Sequence, residues 1–164
     1  MKTILAPVDF SSGTTSILAE AAALARAFDA RLILLHIIDP LPSAAGEFEL
    51  AEAAARMRAA AMAEAARELG MLQRELSESG TTALTHSVVG IPGIAIVEQA
   101  RVFAANYIVI GSHGHSALYE LVVGGTASRV IKEAPCPVVV VSSIASESHI
   151  AASPMLESVG TTAR

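Results

Sequence analysis

Cysteine is nearly absent from this 164-residue chain: Cys136 stands alone, so no intrachain disulfide is possible. Flanked by Pro135 and Pro137 beside a run of valines, it reads as a small packed residue rather than a nucleophile. Basic residues are also scarce. Lys and Arg number 11 against 16 Asp and Glu, a net charge of −5, which leaves no electrostatic footprint for DNA or RNA. A phosphate-bearing ligand would therefore have to be held locally. No apolar stretch approaches the roughly 18 residues of a membrane span. The opening MKTILAPVDF lacks the apolar run of a signal peptide, so no membrane association and a cytoplasmic location are expected. There is no GxxxxGK[ST] loop, no acidic pair to hold magnesium, no poised general base and no internal repeat. No catalytic residue is assigned.

What is present is apolar. Hydrophobic residues make up 52% of the chain and charged ones 16%, enough to bury a sheet, and the length suits one domain. Residues 3–8 form a short apolar run ending at Asp9 and the turn-prone Ser11, Ser12 and Gly13, which predicts a strand and then a helix. Ile17, Ala21, Leu24 and Phe28 share one face of that helix, with Ser12 or Thr14 as its N-cap. Asp9 offers itself as a further cap. Arg31 to Ile38 is almost continuously apolar, as in a parallel strand covered on both faces, with His36 read as a core residue whose ring finds a partner. Phe48 to Glu78 is rich in helix formers and predicts one long helix, or two joined near Gly70.

Residues 82–89 alternate more loosely and predict an edge strand. Pro92 suits the first turn of a helix facing inward through Ile94, Ile96 or Val97, Ala100, and Phe103 or Ala104. Residues 107–110 give a fourth strand, residues 126–133 a helix, and Val138 to Val141 a fifth strand. Alternating strands and helices predict a parallel α/β sheet with right-handed crossovers. From Ser142 on, composition shifts to Ser, Ala and Thr. Residues 1–143 are read as the domain and 144–164 as a flexible tail.

Ligands of such sheets bind at the carboxyl ends of strands where the strand order reverses. Two loops are equipped for this: Pro7, Val8 and Asp9 after the first strand, and Gly111, Ser112, His113, Gly114 after the fourth, leading on to Gly124, Gly125 and Thr126 at a helix start. Glycines let backbone N–H groups approach phosphate oxygens, and a helix N-terminus adds unpaired donors. A carboxylate such as Asp9 would instead accept from a ribose hydroxyl or a base edge. His113 and His115 have no Cys or carboxylate cluster near them in sequence, and no metal site is assigned.

The spacing Gly111-x2-Gly114-x9-Gly124, with YIVIGSH at 107–113, APCPVVVV at 134–141, ILAPVDFS at 4–11 and LLHIID at 34–39, resembles the ATP-binding branch of the universal stress protein family. The resemblance implies an open five-stranded parallel sheet of order 3-2-1-4-5 with helices on both faces, like the adenine nucleotide alpha hydrolases. It implies ATP across strands 1 and 4. By position, Pro7, Val8 and Asp9 border the adenosine, the backbone of Ile37 meets adenine, and Ile110 and Gly111 line the ribose side. His113, Gly114, Gly124, Gly125, Thr126 and Ala127 surround the phosphates, with Mg2+ entering alongside the nucleotide. It further implies a homodimer through Val138 to Val141 and a regulatory role in the stress response.

The chain departs from that pattern in two places. Gly125 follows the third glycine, where the family's ATP binders usually have Ser or Thr, and Ala127 replaces a second hydroxyl. One lost hydrogen bond is worth about 0.5–1.5 kcal/mol, tenfold in affinity at most. A weaker hold on the terminal phosphate is expected, with ADP or AMP binding comparably. Two other readings stay open: a slow ATPase or adenylyl-transferring enzyme, and a dimerisation module that binds no nucleotide.

Overall fold

The computed structural model describes residues 1–40, 48–112 and 124–142. Nine elements alternate: β1 (Thr3–Pro7), α1 (Thr14–Phe28), β2 (Arg31–Ile38), α2 (Phe48–Glu78), β3 (Ala83–Val89), α3 (Pro92–Val102), β4 (Tyr107–Gly111), α4 (Gly125–Glu133) and β5 (Val138–Val141). The strands form one parallel sheet in the order β3-β2-β1-β4-β5, the order expected. Among the described residues no helix is long and apolar enough to cross a membrane.

Strand side chains alternate between faces, so each strand feeds two cores. Ile4, Ala6, Leu32, Leu34 and Val109 pack beneath α1 and α2 with Ile17, Leu18, Ala21, Leu69 and Leu76. Leu5, Ile33, Leu35, Ile108 and Ile110 pack beneath α3 and α4 with Ile96, Val97, Ala100, Ala127 and Val130. Helices thus cover both faces. Small residues dominate the inner stripe of α1, where Ala21, Ala22 and Ala25 are buried, and this lets the helix lie close on β1.

Several local expectations are corrected. The cap of α1 is Gly13, with no side-chain capping bond; Thr14 is already the first helical residue and is buried. Asp9 turns its own loop instead, Oδ1 accepting from the Ser11 N–H at 3.1 Å. Phe28 leaves the inner stripe of α1 and stacks on Tyr107 at the amino end of the sheet, with the Lys2 ammonium 4.3 Å from its ring. On α3, Ile94 lies outward and Ala95 inward, because the helix packs against α4 as well as the sheet and buries a broader arc. α2 runs unbroken through Gly70, and β3 is an edge strand as expected. The expected tail at 144–164 lies outside the described residues.

Candidate nucleotide site

β1 leads into α1 on one face of the sheet and β4 leads into α4 on the other. The helices that follow these two adjacent parallel strands thus lie on opposite faces, the arrangement that opens a crevice at the carboxyl edge of a sheet. A cleft of about 410 Å3 lies there, within the roughly 300–1,000 Å3 of small-molecule sites. Of the residues singled out in the sequence, ten line it: Pro7, Val8 and Asp9 after β1, Ile37 near the end of β2, Ile110 and Gly111 closing β4, and Gly124, Gly125, Thr126 and Ala127 at the start of α4. His113 and Gly114 lie outside the described residues.

Five further residues line it among those described: Ile17, Asp39, Pro92, Ile96 and Ser112. Ser112 sits within the glycine run and Asp39 ends the LLHIID segment, so both were within reach of sequence reasoning. Ile17, Pro92 and Ile96 were not. They enter because α1 and α3 pack over the sheet beside the cleft.

The two ends of the cleft differ in polarity. At α4, the Gly124 N–H donates to the Ser112 carbonyl at 2.9 Å and the Ser128 N–H returns to the Gly124 carbonyl at 2.8 Å, closing the first helical turn. The N–H groups of Gly125, Thr126 and Ala127 precede any intrahelical acceptor and point out of the helix start. No acidic residue occupies that turn and Gly124 supplies no side-chain cap, so among the described residues no side chain neutralises the positive end of the helix dipole. Ala127 is buried and anchors the turn in the core. Gly125 is exposed, with no atom within 4 Å of where a Cβ would stand. At the other end, Asp9 and Asp39 are the charged residues among the described lining. Apolar walls from Ile37, Ile96 and Ile110 run between. Such a site suits a ligand with hydroxyl or amine donors at one end, a flat apolar body and an anionic group at the other.

The loop after β1 is tightly held. The Val8 N–H donates to the Leu35 carbonyl at 2.8 Å, and the Val8 carbonyl lies 2.9 Å from His36 Nδ1. Phe10 takes a left-handed φ of 60° and stacks on the His36 ring, centroids 4.3 Å apart. His36 is half-buried rather than fully buried, but its ring has the partner expected of it.

Known proteins share this fold. The universal stress protein family profile matches residues 1–142. A universal stress protein of Thermus aquaticus, from the QAH/OAS sulfhydrylase 3′ region, is 37% identical over 147 residues covering 85% of this chain and 98% of that one. The structure of universal stress protein UspA from Lactobacillus plantarum, 29% identical, covers 85% of this chain and 97% of its own with a TM-score of 0.75. At 23% identity the fold recurs in the universal stress protein from Archaeoglobus fulgidus in complex with dAMP, covering 86% of this chain and 98% of that one with a TM-score of 0.62. On the match of residues 1–142 and this parallel sheet, the chain belongs to the universal stress protein family.

Proposed function

We propose that the chain binds an adenine nucleotide in the cleft between β1 and β4 and acts as a regulatory nucleotide-binding protein of the stress response, as a homodimer. The observation that carries this reading is the opposed polarity of the cleft: the N–H donors that open α4, which have no intrahelical acceptor, at one end, Asp9 and Asp39 at the other. Proteins sharing the fold have been described with dAMP, cAMP and AMP bound. In this chain the α4 donors would hold phosphate, Asp9 would accept from ribose hydroxyls, and the isoleucine walls would cover the base. ATP, with Mg2+, is the first candidate. Gly125 and Ala127 offer the terminal phosphate no side-chain hydroxyl and bring ADP and AMP within about tenfold of it.

Calorimetry with ATP, ADP and AMP, with and without Mg2+, tests the reading. Binding by the wild type is expected, weakened about tenfold or more in Asp9→Ala through loss of a charge-assisted hydrogen bond. Absence of heat with every nucleotide at millimolar concentration refutes it. Multiple turnovers of ATP would favour the enzymatic alternative.

A further inference from the structure

Strand β2 shares its backbone between two neighbours in alternation. The Leu35 carbonyl accepts from Val8, on the β1 side, while the Ile38 carbonyl accepts from Gly90, on the β3 side. Ile37, in step with Leu35, therefore turns its N–H and C=O toward β1. The β1–β2 register ends at Pro7 opposite Leu35. The next rung of a regular parallel ladder would run from the Ile37 N–H to the Val8 carbonyl. In this chain that oxygen lies 2.9 Å from His36 Nδ1 instead. A carbonyl can only accept, so Nδ1 carries the proton and His36 donates. The side chain of one residue thus takes the acceptor that the backbone of the next would use.

The ladder stops one rung early at the wall of the cleft, which Ile37 lines. Stacking on Phe10 fixes the imidazole plane, and Phe10 holds its left-handed φ of 60° against that ring. Such a conformation is strained for a bulky residue and persists only where its surroundings enforce it.

We infer that His36 is a positioning residue: by holding the Val8 carbonyl on its ring it keeps the N–H of Ile37 out of the ladder and free to meet the acceptor edge of a purine base, beside the Ile37 C=O. Adenine presents an acceptor nitrogen beside an amino donor, the complement of one backbone N–H and one C=O. This role rests on the reading of the cleft as an adenine-nucleotide site. His36 itself need not touch the ligand.

Two measurements test it. In the ligand-free protein, amide hydrogen exchange at Ile37 is expected to be at least about tenfold faster than at Leu35, whose N–H lies within the ladder, and to slow in His36→Leu, where the Val8 carbonyl becomes available. Equal protection of Ile37 and Leu35 in the wild type overturns the inference. In calorimetry with AMP, His36→Leu is expected to bind about tenfold more weakly, whereas His36→Asn, whose amide nitrogen falls near the Nδ1 position, stays within about threefold. The preference for AMP over its 1-deaza analogue, which lacks the ring acceptor, should collapse in His36→Leu and survive in His36→Asn. His36→Leu binding AMP as tightly as the wild type sinks this role alone. A wild type that binds no adenine nucleotide sinks the nucleotide reading and this role with it. If His36→Leu melts early, wild-type exchange and the Asn variant still decide.

Discussion

At Cys136 the side chain is half-buried against the core beneath α3 and α4, and that burial pushes the thiol pKa up. Desolvation disfavours the thiolate, which is the reactive form. Alkylation by iodoacetamide at pH 8 is therefore expected to run severalfold slower in the native protein than in the urea-unfolded chain; equal rates would refute the buried reading. The sign for stability follows. The folded chain keeps its proton where the unfolded chain loses it, so the folded state is disfavoured as pH rises past the ordinary thiol value of about 8.5. The same scale shows what a sequence can announce. Asp9 and Gly111 were legible because each sat at the end of an apolar run, where a strand must end, and Gly124 because it stands just before a helical stretch. The capping of α1 was not, since Ser12, Gly13 and Thr14 are all acceptable caps, and only the path of the loop selects Gly13.

Among the elements, α2 shows how far local chemistry reaches. Its 31 residues cross Gly70 without a break, although glycine costs a helix interior about 0.5–1 kcal/mol relative to alanine. Nothing lies within 4 Å of a Cβ added at Gly70. Gly70→Ala is expected to stabilise the protein by that amount and to raise Tm by roughly 1–4 °C, read by thermal unfolding. A lowered Tm would show a close approach to the backbone at that point. Exposed pairs such as Glu52 with Arg56 at 3.4 Å add little, at most about 0.5 kcal/mol. On α3 the sequence pattern was less decisive. The outward turn of Ile94 follows from the close α3–α4 contact, where a Cβ on Gly93 would come within 2.8 Å of the Arg129 side chain. Gly93 therefore sets the crossing of two helices that no periodicity within α3 could reveal.

For the whole molecule, the outer edge of β5 is its most consequential surface. β5 pairs with β4 along one side, and Val140 is 40% exposed. An apolar edge strand left bare invites pairing with another chain, and β5-to-β5 pairing would cover it in the proposed homodimer. Light scattering is expected to give twice the chain mass of 16.9 kDa, shifting toward the monomer in Val140→Lys; a wild-type monomer at all concentrations refutes this contact. The sequence by itself determined the parallel α/β class, the placement of all five strands to within a residue or so, and the two loops that meet at the cleft. These follow from apolar runs of strand length, helical periodicity and glycine after a strand, all of them signals carried by near neighbours in the chain. Tertiary structure alone decided that Ile17, Pro92 and Ile96 wall the site and that His36 takes the carbonyl of Val8. Those contacts join residues far apart in sequence, and their energies depend on how helices settle on the sheet and how one ladder ends, which no local pattern encodes.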